Sequence, residues 1–233
     1  MRFITKQLYR SDTLYGYFYF DSDISYKEFI DNTVHFLKGT PYYRGEESIN
    51  YIYNSYRIDD YINAFKDDIY RYEDIKKIVL DENDKLKEID EEIYYKVIEI
   101  AREHRKHSDK QYELVQKQLK VLNSMEIPCN IKEFINFSHH DIDIISISHD
   151  KKTLSIEFDS HFDRTKTYVF EIARISHDIA LSEIVKGFHV VDEEYSYIPN
   201  KKMYEYSALL RRRGKSDDFH EIHELNFTFN KLT

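Results

Sequence analysis

Between Asp141 and Ile175 apolar and polar residues alternate in runs that read as neighbouring strands. Ile142, Ile144 and Ser146 alternate with Asp143, Ile145 and Ile147, and Leu154, Ile156 and Phe158 alternate with Ser155 and Glu157. A period of two is the mark of a strand with one buried face. The polar break His149-Asp150-Lys151-Lys152 predicts a hairpin, its turn type left open for want of an Asn-Gly or Asp-Gly pair. Tyr168 to Ile175 predicts a third strand and completes an antiparallel meander. Further strand patterns run over Phe188 to Tyr197, Met203 to Arg211 and Phe219 to Phe229, with Tyr204, Tyr206, Ala208 and Leu210 on one face and Leu225, Phe227 and Phe229 on another. The segment Ile179 to Lys186 fits a helix or a strand, and Gly187 breaks it.

The first half of the chain carries the helical period instead. Tyr26, Phe29, Ile30, Val34 and Leu37 form one stripe, preceded by Asp21-Ser22-Asp23 as capping side chains and closed by Lys38-Gly39. From Asp59 a stripe runs Ile62, Phe65, Ile69, Tyr72, Ile75, Val79. After the polar break Asp81 to Asp84, another runs Leu86, Ile89, Ile93, Val97, Ile100, His104 and on to Leu122. Leu86 to Leu122 as one helix would be about 55 Å long at a 1.5 Å rise per residue. A break at His107-Ser108-Asp109, with Ser108 as a new cap, fits equally well. Ile127-Pro128 ends the helical region, and Ile131 to Phe137 predicts one short helix leading into the meander. The expected fold is α+β: a mainly helical region 1–137 with long amphipathic helices, and a β-rich region 138–233 with an antiparallel sheet of about five strands, packed as one unit or two abutting ones.

Composition narrows the function classes. The 233 residues are 41% hydrophobic and 33% charged, with 5 Gly and 3 Pro, which suits a globular protein without long flexible linkers. The formal net charge of -9 weighs against nucleic acid and anionic lipid, because phosphate binding needs clustered Lys and Arg, and it favours solubility or a basic partner. Cys129 is the single cysteine, so no intramolecular disulfide can form. The opening residues lack the apolar core of a signal peptide, and no run approaches the ~18 apolar residues of a membrane span, so the expected location is the cytoplasm.

Short elements of the chain resemble a known group. Phe3-Ile4-Thr5-Lys6-Gln7-Leu8-Tyr9, the helix-ending Ile127-Pro128, the His140-Asp141 pair before the first strand and the hairpin after it are similar to an uncharacterised family of cytoplasmic proteins from Bacillus and relatives. Members of that family begin with an aromatic-Thr-Lys-x-x-Tyr signature and carry a Leu-His-Asp element before a β-rich end. Here Ser138-His139 precede His140 where the family has Leu. The resemblance implies a fold layout and a bacterial source, and it carries over no catalytic residue.

Chemistry must come from the residues themselves. Eight of the 11 histidines fall between His139 and His223. His139-His140-Asp141 could bring imidazole and carboxylate to a metal, and His223 could add another imidazole, although His220 and His223 would point to opposite faces of a strand. Phosphate-cradling glycine loops, a nucleophile elbow and the H-E-x-x-H spacing do not occur. A lone Cys129 after Pro reads as a small filler rather than a nucleophile. Glu193-Glu194 and Asp217-Asp218 read as solvated carboxylates, and Arg211-Arg212-Arg213-Gly214-Lys215 as a solvated turn.

The larger anomaly is the 21 tyrosines. Tyrosine offers wide contact area at low entropic cost, so Tyr51, Tyr53, Tyr56, Tyr195 and Tyr197 are candidates for a binding surface, against the plainer reading that Tyr stands in for Phe and Trp at the core boundary. The expected function is a non-enzymatic, immunity-like or antagonist protein that binds a basic macromolecule through an acidic, tyrosine-rich surface, with no cofactor. The alternative is a metal-dependent hydrolase or nuclease using His139, His140 and His223. Self-association through the long helices is a third reading.

Overall fold

The computed structural model describes residues 3–10, 12, 24–38, 71–83, 87, 90–159, 165–185, 187–212 and 221–233. The fold is α+β, with helices α1 (Tyr26–Lys38), α2 (Tyr72–Val79), α3 (Glu91–Ser124) and α4 (Cys129–Asn136) preceding strands β1 (Asp143–His149), β2 (Thr153–Asp159) and β3 (Lys166–His177), then a single turn α5 (Leu181–Ile184) and strands β4 (Phe188–Ile198), β5 (Met203–Arg212) and β6 (Ile222–Leu232). The sheet has six strands rather than about five. No helix among the described residues is long and apolar enough to cross a membrane.

The chain divides into two compact units, Gln7–Asp109 and Met1–Lys6 with Lys110–Thr233. The strand-bearing unit thus takes in the end of α3 and all of α4, because α4 packs as part of its core: Phe134 is 0% exposed and belongs to the same apolar cluster as Phe158, Phe170 and Phe229. The type of secondary structure changes near 137, but burial decides which residues form one body.

In the unit Gln7–Asp109, α1 starts with a capping box. The Glu28 amide donates to Ser25 Oγ (3.2 Å) and the Ser25 amide donates to Glu28 Oε2 (2.8 Å). Those two bonds satisfy donors that a helix start leaves open. Phe29 stacks on Tyr94 of α3 at 5.0 Å, and the Tyr94 hydroxyl donates to the Ile24 carbonyl (3.2 Å). Ile75 and Val79 of α2 are buried; Ile62, Phe65 and Ile69 of the predicted stripe lie outside the described residues. The helix α3 runs unbroken through His107-Ser108-Asp109. Ser108 does not cap a second helix, since its hydroxyl donates to Asp12 Oδ2 (2.7 Å), while His104, one turn earlier, meets Asp12 Oδ1 (2.7 Å).

The other unit is built around a closed antiparallel barrel of order β1-β2-β3-β6-β5-β4. Its interior is packed with side chains: Ile144, Phe158, Phe170, Tyr206, Phe227 and Phe229 are all buried in one cluster. The predicted alternation holds in β2 and in the middle of β6, whereas in β5 the predicted face of Tyr204, Tyr206, Ala208 and Leu210 is buried and so are Ser207 and Leu209 on the opposite face. In β1 a bulge between Ile144 and Ser146 inserts Ile145, so Ile144 pairs opposite Phe158 and Ile147 opposite Ile156, and Ile145 is left exposed. The β1–β2 turn is set by Asp150, whose Oδ1 accepts the Lys152 and Thr153 amides (2.8 and 2.7 Å) and whose carboxyl those bonds hold below its ordinary pKa. The β1–β4 seam is short: one paired position, Asp143 opposite His189, plus the bonds Asp141 N–H to Val190 O (2.7 Å) and Val190 N–H to Ile142 O (3.0 Å).

Candidate functional site

Two local irregularities meet at that seam. Between α4 and β1 the chain reverses through residues 139–142, where the Ile142 amide donates to the His139 carbonyl (3.0 Å) and Asp141 holds φ 63°. A left-handed third residue is what a type II turn requires, and Asp tolerates it better than most residues. The turn sends His139 inward and leaves His140 exposed. Across the seam, β4 carries a bulge between Val190 and Asp192. The extra residue re-aims the strand, so that Glu193 faces the turn.

His139 is 0% exposed and sits against the rings of Phe134, Phe158 and Phe137 at 4.5–4.9 Å. Its Nδ1 lies 2.9 Å from Glu193 Oε2 and 3.0 Å from the Tyr195 hydroxyl, and its backbone N–H donates to Glu193 Oε1 (3.0 Å). A carboxylate only accepts, which assigns the proton to Nδ1. Nε2 is then a buried lone pair with no hydrogen-bond partner among the described residues. The Tyr195 hydroxyl donates to Glu193 Oε2 (2.8 Å), so both Glu193 oxygens are engaged. Burial first, and the Glu193 charge second, push the Tyr195 and Tyr206 hydroxyls well above their ordinary pKa. Tyr168 is pushed up to about 12, by burial foremost and then by the charges of Glu133 and Glu193.

Outside this cluster lies a cleft of about 280 Å³. Apolar walls come from Ile4, Val115, Leu119, Ile135 and Phe137, and Asp192 and Glu193 supply carboxylates. Tyr112 donates to Asp192 Oδ2 (2.8 Å). No Lys or Arg is among the described residues that line it, and His140 stands at its edge.

The residues singled out from sequence are dispersed. His139 is sealed in the core. His140 has its Nδ1 3.1 Å from Asp141 Oδ2, and His223 lies 3.3 Å from Asp178 Oδ1 and 3.6 Å from Glu221 Oε1. The three histidines thus have separate partners, and among the described residues no three His, Cys, Asp or Glu side chains converge to hold a metal. Tyr195 must be withdrawn as a surface residue, because it is 7% exposed and packs edge-on against Phe134. Tyr197 is half-buried against Tyr204 (5.2 Å), and Tyr51, Tyr53 and Tyr56 lie outside the described residues. Cys129 is exposed rather than a core filler, and Glu133 raises its pKa by accepting from the thiol and by its charge, the opposite of nucleophile activation.

Sequence reasoning missed Glu193, which it read as a solvated carboxylate. The signal available was the Glu193-Glu194 pair in an otherwise apolar strand pattern. Its partner His139 is 54 positions away, and no local pattern links them. No model of a known protein family matches the chain, and no curated protein or solved structure matches it.

Proposed function

We propose that this protein is a non-catalytic binding protein that recognises a basic macromolecular partner, with an immunity-like role, holding a basic effector inactive, as its concrete form. One observation carries the reading. At the seam, the groups able to do proton or nucleophile chemistry are tied to one another: His139 is buried with its Nδ1 on Glu193, both Glu193 oxygens accept from neighbours, and Tyr195 is a core residue held neutral. A general base must reach a substrate proton, but His139 and Tyr195 are buried, and both oxygens of the partly exposed Glu193 are already held by donors. A carboxylate-bearing cleft stays open to a partner, in a chain of net charge -9. Acidic surfaces of this kind steer basic partners and reject acidic ones.

The test is capture of the tagged full-length protein's partners from a lysate of its source cells at moderate salt. The expected outcome is one stoichiometric basic protein whose binding weakens as salt is raised, since charge attraction between exposed groups is screened within about 10 Å at 0.1 M. A partner of acidic character, or binding indifferent to salt, contradicts the reading. Stabilisation by added Zn or Mn with turnover of a phosphodiester or peptide substrate would replace it with the hydrolase reading.

A further inference from the structure

Resting on that reading, we infer that the seam cleft is an anchoring pocket for one lysine or arginine side chain of the partner, with Glu193 as the charge that holds its head group. The cleft is built in two halves. Val115 and Leu119 from α3, Ile135 from α4 and Phe137 give it apolar walls, and Glu193 gives it a carboxylate end. Long basic side chains have the same two halves, an aliphatic stem and a charged tip, and they gain from burying the stem while the tip keeps a polar partner.

Size and charge agree with one side chain. At about 280 Å³ the cleft falls just below the ~300–1,000 Å³ of pockets that enclose a drug-sized ligand. Glu193 retains 14% exposure and has no Lys or Arg partner among the described residues; its contacts are a backbone amide, a phenol and an imidazole. Those three donors fix the carboxylate in place, so an incoming cation finds it already oriented and little side-chain entropy is lost on binding. The pocket of about 250 Å³ on the β3-β6-β5-β4 strands also carries carboxylates, Glu194 and Glu205, but Arg174 lines it with them and much of the rest of its lining is polar, Ser196, Ser207 and Thr228 among it.

The test uses small probes on the full-length protein: n-butylguanidinium and n-butylammonium against n-butanol, followed by amide chemical-shift changes. The cations are expected to shift amides of 112–119, 135–140 and 192–195 saturably, with n-butanol at least tenfold weaker. Val115→Phe, which fills the cleft from its wall without touching the Glu193 cluster, is expected to abolish those shifts while its thermal unfolding stays near wild type. Glu193→Gln is expected to weaken the cations at least tenfold and leave n-butanol unchanged. Equal binding of n-butanol, unchanged cation binding in Val115→Phe, or shifts centred elsewhere would overturn the pocket. The two proposals fail separately. A basic partner captured equally well by Val115→Phe would remove the cleft as its anchor and leave the partner reading intact. Cation binding at the cleft with no basic partner captured would do the reverse.

Discussion

At His139 an imidazole sits where water does not reach, and the residues around it explain why. Phe134, Phe137 and Phe158 surround the ring, Glu193 accepts a hydrogen bond from its Nδ1–H, and Tyr195 and Tyr206 complete the cluster. The tyrosines set a measurable consequence. A free tyrosine ionises near pH ~10, and Tyr168, Tyr195 and Tyr206 are all raised above that, so the folded state keeps their protons to higher pH than the unfolded chain does. The stability this contributes is complete below pH ~10 and is lost as pH climbs through the folded values. Alkaline titration of phenolate absorbance is therefore expected to show a late fraction that appears only together with unfolding. Glu193→Gln, by removing a negative charge, should bring that fraction to lower pH. Full ionisation near pH 10 with the fold intact would contradict the assignment. Asp178 tilts the other way: burial alone would raise it, but Lys6, the Glu224 amide and His223 together hold it below its ordinary value.

At the scale of elements, much was readable from local pattern. The meander, the strands β4 to β6, the short helix before β1 and the helical period of α3 all follow from apolar spacing. The cap of α1 is a case where the signal was present two residues beyond the residues the pattern suggested. Ser25-Tyr26-Lys27-Glu28 has the capping-box spacing, and the structure uses it, while Asp21-Ser22-Asp23 lie outside the described residues. Ser25→Ala is expected to cost α1 about 0.5–2 kcal/mol, read as faster amide exchange over the first turn of α1, with Ser25→Thr keeping most of the protection. Equal exchange in Ser25→Ala would mean the box is idle. The outward Ser146 and the inward Ile147 could not be foreseen, because a bulge at Ile145 shifts the alternation by one residue and is settled by the partner strand, not by the strand's own sequence. The continuity of α3 has a similar origin: Ser108 can serve as a cap or sit inside a helix, and Asp12, 96 positions away, engages it inside.

For the whole molecule, closure of the barrel is the decisive fact, and its weakest join lies beside the cleft. β4 and β5 pair from Phe188 opposite Arg212 to Ile198 opposite Met203, whereas β1 and β4 meet at one paired position. Native-state hydrogen exchange should therefore find the Asp141 and Val190 amides opening sooner than those of Tyr206 to Ala208 in the middle of β5, and uniform protection across the seam would refute this. Local pattern by itself determined the α+β class, the order of the elements and most of the core, because burial on one face leaves a period of two or 3.6 that can be read without knowing the partner. Tertiary structure alone decided the pairing of β3 with β6, the contact of β1 with β4, the membership of α4 in the barrel unit and the meeting of His139 with Glu193. Each of these joins residues far apart in the chain. Such contacts depend on which faces can be buried together, and that is a property of the folded whole rather than of any segment.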